Sequence, residues 1–213
     1  LVAEGGTAAM AHLHPATQDS VTFTSALPVL PAGTYRVFAD IVHRSGFTQT
    51  LTSTVAIPTV ATMTSLTDTD DSWTSGGGAD SDNAKLDDGA SLKWLRDRPL
   101  VAKEEAGLRF VLERPAGDTA SLQPYLRMPG HAIVVRDDGG VFIHLHPMGT
   151  ISPAAQARLS PASPMHFAAH SSQALPDSLY FPYAFPESGR YTVWVQLKRN
   201  DRILTGAFSA EVR

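Results

Sequence analysis

Short runs rich in Val, Ile, Phe and Tyr recur along the chain between Pro and Gly, and that rhythm predicts strands rather than helices. The second half offers seven such runs: Ser91–Arg96, Ala106–Arg114, Gly130–Arg136, Gly140–Pro147, Ser178–Phe185, Tyr191–Arg199 and Arg202–Val212. Seven strands in roughly 120 residues is the number found in an immunoglobulin-like sandwich. One short helical turn is expected, at Pro153–Leu159. The predicted class is all-β, with two tandem immunoglobulin-like (Greek-key) β-sandwich domains.

Two domains follow from an internal repeat. Ala11-His12-Leu13-His14-Pro15 is echoed by Ile143-His144-Leu145-His146-Pro147. Downstream of each stands Gly-x-Tyr, as Gly33-Thr34-Tyr35 and Gly189-Arg190-Tyr191, in the manner of a tyrosine corner. An apolar strand follows each Tyr, then a polar turn near Ser45-Gly46 or Asn200-Asp201, then a closing strand rich in Thr, Val and Phe. The repeats occupy residues 1–62 and 91–213. The Asp-, Ser- and Gly-rich stretch 63–90, with Gly76-Gly77-Gly78 inside it, reads as a linker. Only 11 residues precede His12, so the first domain is expected to be incomplete at its N-terminus. A segment that short buries too little surface to be robust without further strands, a partner or the second domain.

Composition narrows the function classes. The 17 Lys+Arg and 21 Asp+Glu give a net charge of −4 with no basic tract, which disfavours phosphate-backbone binding and hence nucleic-acid partners. No apolar run reaches the roughly 18 residues of a membrane span. The absence of Cys removes disulfides, thiolate metal sites and Cys nucleophiles together.

The candidate chemistry lies in the histidines. A two-residue type I′ turn at Asp138-Gly139 would set Asp137 opposite Gly140 and carry His131 directly across from His146, with His144 diagonal. Residues two apart on a strand share a face, so the three imidazoles would converge and could ligate Zn²⁺ or Cu²⁺. Met128 and Met148 are further candidate ligands, since thioethers favour Cu(I). His12 and His14 are the first-repeat counterparts. Ligation requires neutral imidazole, so affinity should fall as pH drops through about 6.5. The competing structural reading makes the same histidines packing residues. Met165, His166 and His170 read as loop residues, His43 as a solvated hairpin residue, and Asp68, Asp70, Asp71, Asp80 and Asp82 as a solvated linker without the Gly and Glu of a calcium loop. Trp73 is expected to dock against a domain face.

At Ala11-His-Leu-His-Pro15 and Pro31-Ala-Gly-Thr-Tyr-Arg-Val-Phe-Ala-Asp40 the chain resembles bacterial secreted β-sandwich proteins of the broad YtkA-like and CopC-like type. Their upstream Met-His-Leu has no match here, although Met128-Pro-Gly-His131 occupies the corresponding place in the second copy. The resemblance implies a periplasmic or extracellular protein that handles copper or another metal. It names no reaction. Three function classes follow: a non-catalytic metal-binding protein, a surface or filament-forming protein whose first domain accepts a strand from a partner or a second copy, and a metalloenzyme. No acidic residue close in sequence to the triad is an obvious base, and no Ser-His-Asp or phosphate-loop motif is present, so catalysis is the least expected of them.

Overall fold

The computed structural model describes residues 1–4, 9–19, 21–59, 68–76, 78, 81–151, 155 and 175–213. It is all-β, with β-sandwich organisation, and divides into two compact units. The first comprises Leu1–Ala39 and Thr50–Gly77, the second Asp40–Gln49 and Gly78–Arg213.

In the second unit the strands are β8 (Asn83–Lys85), β9 (Ser91–Leu95), β10 (Glu105–Glu113), β11 (His131–Arg136), β12 (Phe142–Leu145), β13 (Ser178–Ala184), β14 (Gly189–Arg199) and β15 (Arg202–Val212). Each of the seven segments expected from sequence contains one strand, the Gly140–Pro147 segment only over Phe142–Leu145. They form two antiparallel four-stranded sheets, ordered β13-β10-β9-β8 and β12-β11-β14-β15. The chain changes sheet after β10, β12 and β13, which is the Greek-key path of an immunoglobulin-like sandwich.

Alternation explains the packing. In β10, Ala106, Leu108, Phe110 and Leu112 point inward while Glu105, Gly107 and Arg109 are exposed. Phe110 meets Trp94 and Phe208 with ring centroids 5.2 Å away in both cases, at the centre of the core. Aromatic pairs of this kind add about 0.5–1.5 kcal/mol beyond the area they bury. Val193, Val195, Ala132 and Val134 close the core from the other sheet. Their strands also bury alternate residues on the opposite face, among them His131, Ile133, Trp194 and Gln196. The imidazole cluster lies on that outer face.

The first unit contains β1 (Val2–Ala3), β2 (Ala9–His12), β3 (Ala16–Thr17), β4 (Phe23–Thr24) and β7 (Ser72–Ser75), together with most of β5 (Gly33–Val42) and β6 (Thr48–Ile57). One sheet runs β6-β5-β1-β2-β7, and β3 pairs with β4. The order β2-β1-β5-β6 repeats the order β12-β11-β14-β15. The Gly-x-Tyr motifs are tyrosine corners in both copies: the Tyr35 hydroxyl donates to the Pro31 carbonyl at 2.8 Å and the Tyr191 hydroxyl to that of Glu187 at 2.7 Å. Trp73 packs, as expected, against a cluster that includes Ala9, Ala11, Leu30, Tyr35 and Ile57.

Two local expectations need correction. The interval 63–90 contains β7 and β8, and Gly78 is held against β15, its carbonyl accepting the Ser209 hydroxyl at 2.8 Å. The turn at Asp138-Gly139 is not type I′, because Gly139 has φ +70° and Asp138 is not in the positive-φ region. The Gly139 N–H donates to the Arg136 carbonyl at 2.6 Å, which centres the turn on Asp137-Asp138. Arg136 Nε and an Nη each lie 2.8 Å from the Asp138 carboxylate, and the Gly140 N–H donates to the same group at 2.9 Å. The expected helical turn at Pro153–Leu159 lies, apart from Ala155, outside the described residues, as do Met165, His166, His170 and Asp80.

Candidate metal centre

Two turns and one register build the cluster. The chain reaches β11 through a tight turn in which the N–H groups of Tyr125 and Met128 each donate to the other's carbonyl, at 2.8 and 3.0 Å. Its central residues, Leu126 (φ 49°) and Arg127 (φ 68°), take the type I′ form without a glycine. At Gly130 a Cβ would stand 2.5 Å from the Gln196 carbonyl oxygen, so only glycine lets the chain enter the sheet this close to β14. His131 then pairs with Gln196.

Across the hairpin, Ala132 faces Leu145 and Ile133 faces His144. This is the expected register, and it sets His131 opposite His146. The chain leaves β12 through a second tight turn, His146 to Gly149, closed by two 2.8 Å backbone hydrogen bonds with Gly149 at φ +96°. Met128 and Met148 occupy these two turns, Met128 buried and Met148 half-buried.

The three rings converge. Ring centroids of His131 lie 5.2 Å from those of both His144 and His146, and the latter two are 4.6 Å apart. A ring nitrogen of His131 and one of His144 lie within 4.8 Å of each other. His131 has no exposed surface and His146 is 6% exposed. The Tyr125 ring rests on His131 at 4.6 Å. Burial, and then the neighbouring His144, push the His146 imidazole down to about 4, with Asp40 opposing the shift. His146 is therefore neutral at pH 7 with a lone pair to offer. Its Nδ1 is buried and has no hydrogen-bond partner among the described residues. A packing histidine would be expected to satisfy that atom, since a buried unmet polar group costs about 1–3 kcal/mol.

Sequence reading missed the carboxylates. Asp40 Oδ2 lies 3.5 Å from His144 Nδ1, brought there by the β5–β6 hairpin tip that belongs to the second unit. Its one sequence signal was its place at the end of the Pro-x-Gly-x-Tyr-x-x-Phe-x-Asp motif. Asp71, expected to be solvated, is 5% exposed and pairs with His14 in the first unit, with 3.1 Å between Oδ1 and Nδ1. Tertiary placement, not local composition, decides both. His12 and His14 stand together with centroids 4.7 Å apart. His43 is exposed, as expected, with Nε2 3.3 Å from Gln49 Oε1. Asp82 is exposed and pairs with Arg96.

No helix among the described residues is long and apolar enough to cross a membrane. No curated protein and no solved structure matches the chain. A family model matches residues 84–213, a span that holds the whole triad. That span is more than half of the 213 residues, and the chain belongs to the family described as a domain of unknown function, DUF8832.

Proposed function

We propose that this protein binds a copper or zinc ion through His131, His144 and His146 and serves as an exported metal-handling protein without chemistry of its own. The carrying observation is the convergence of three imidazoles with centroid separations of 4.6–5.2 Å. Three rings bound through nitrogen at about 2.0–2.1 Å to one tetrahedral ion carry their centroids about 5 Å apart. The neutral, buried His146 and the carboxylate beside His144 support the same reading, because ligating imidazoles commonly give their second nitrogen to an outer acceptor. Met128 and Met148, in the flanking turns, are the residues that would tilt selectivity toward Cu(I). Likeness to CopC-like proteins at the His-Leu-His-Pro and Gly-x-Tyr motifs supports export and copper as the cargo. Elemental analysis and metal titration of untagged protein test the reading. One tightly bound equivalent is expected at the triad, with that binding lost in the His131→Ala/His144→Ala variant. Equal affinity in the wild type and that variant would sink it.

A second reading rests on β6. This ten-residue strand forms one edge of its sheet, and nine of its residues are exposed, Leu51 and Val55 among them. An open edge of that length can accept a strand from another copy. Under this reading the protein self-associates, and Leu51→Lys/Val55→Lys shifts its sedimentation to the monomer. A wild type that sediments as a monomer at high concentration excludes it.

A further inference from the structure

The first unit holds an imidazole pair outside the triad. His12 ends β2, His14 follows it by two residues, and their centroids are 4.7 Å apart with the rings tilted by 50°. Behind His14 stands Asp71, whose side chain has no exposed surface. Its Oδ1 accepts the His14 backbone N–H at 2.6 Å and lies 3.1 Å from His14 Nδ1. Its Oδ2 accepts the Asp68 N–H at 3.3 Å, and the Asp71 N–H donates to the Asp68 carbonyl at 3.2 Å. The carboxylate is thus pinned by backbone and aimed at one ring nitrogen.

A carboxylate supplies only lone pairs, so its partner Nδ1 must carry the proton of the neutral ring. The lone pair of His14 is then confined to Nε2, which is buried and has no hydrogen-bond partner among the described residues. Burying a carboxylate is costly, and a histidine serving only to pack would be satisfied by an uncharged acceptor. A carboxylate behind one ring nitrogen with a bare lone pair in front is the arrangement that orients a metal-ligating imidazole.

We infer that Asp71 is a positioning residue that presents His14 Nε2, beside His12, as a ligand pair for a borderline divalent ion such as Zn²⁺ or Cu²⁺. Two imidazoles supply half of a tetrahedral shell. The inference concerns residues outside the triad and outside the matched span 84–213.

The test uses the full chain with ¹⁵N-labelled histidine and long-range ¹H–¹⁵N correlation spectra. Without metal, His14 should show a protonated Nδ1 and a bare Nε2. Added Zn²⁺ should move the His12 and His14 signals, with the change at His14 centred on Nε2. Asp71→Asn should loosen the tautomer preference and lower the Zn²⁺ affinity reported at His14 by about 10–100-fold. A wild-type His14 protonated on Nε2 overturns the inference whether or not the variant folds. So does a titration in which His131, His144 and His146 respond while His12 and His14 stay still. The reverse pattern, with His12 and His14 responding and the triad silent, upholds this pair and removes the triad reading alone. An Asp71→Asn protein with unchanged tautomer and affinity overturns the role given to Asp71.

Discussion

His146 carries its free-energy consequence in its surroundings. Its imidazole titrates near 4 in the folded chain against 6.5 when unperturbed, mainly because burial penalises the charged ring. Between those values the unfolded chain binds the extra proton and the folded chain does not, so stability rises with pH across the window. The full contribution is present above 6.5 and is lost as pH falls toward 4. At about 1.4 kcal/mol per unit the loss is about 3 kcal/mol. Urea unfolding of metal-free protein at pH 7 and pH 4.5 should show it, and His146→Asn should flatten that part of the dependence. An equal pH slope in the two proteins would refute the assignment. The same depression amends the expectation that every ligand protonates near 6.5, because His146 keeps its lone pair to about 4. Sequence identified this residue but not its environment. Burial on the outer face of a sheet depends on neighbours that no local motif encodes.

At the scale of the element, the β11–β12 hairpin has the expected register with a different turn. Ala132, Val134 and Leu145 must face the core, and a one-residue slip would turn all of them outward, so the apolar pattern fixes the pairing more firmly than the turn does. Arg136 and Asp138 shape a loop that the Asp-Gly signal alone does not describe. Type I′ geometry appears instead at Leu126-Arg127, where no glycine advertises it, and both residues of Asn200-Asp201 also have positive φ. β7 and β8 are not legible in the sequence for a related reason. Each is the edge strand of its sheet, and an edge tolerates the polar, small residues that elsewhere mean linker. Two glycines separate turn from register experimentally. Gly139→Ala, at φ +70°, should cost about 1 kcal/mol and leave metal affinity unchanged. Gly130→Ala, whose Cβ would press on the Gln196 carbonyl, should cost about 1–3 kcal/mol and weaken metal binding by displacing His131. Thermal unfolding and metal titration of the two variants decide it, and loss of affinity in Gly139→Ala alone would invert the assignment.

For the whole molecule, the repeat was legible because tyrosine corners and Pro/Gly punctuation act locally, whereas the contacts that tie loops to the sandwich do not. Arg199 is the clearest of these. At the end of β14 it is 1% exposed, pairs with Asp88 and Asp118, and donates to the Ala120 carbonyl at 3.2 Å. These partners come from segments 79–111 residues away in the chain. The Asp118 carboxyl is held below its ordinary range, first by the Ala120 N–H and then by Arg199. Its contribution is therefore present above the ordinary carboxylate range and is lost as pH falls through its lowered value. The two sides of this network are unequal. Asp88 and Asp118 keep some access to water, so Arg199→Met frees groups that can rehydrate and fills the buried site with an apolar chain. Asp88→Ala/Asp118→Ala leaves the guanidinium buried without a counter-ion, which is the costlier change. Denaturant unfolding at pH 7 should rank the double aspartate variant as clearly less stable than Arg199→Met. A larger loss in Arg199→Met would mean that the carboxylates, not the buried cation, bear the cost of separation.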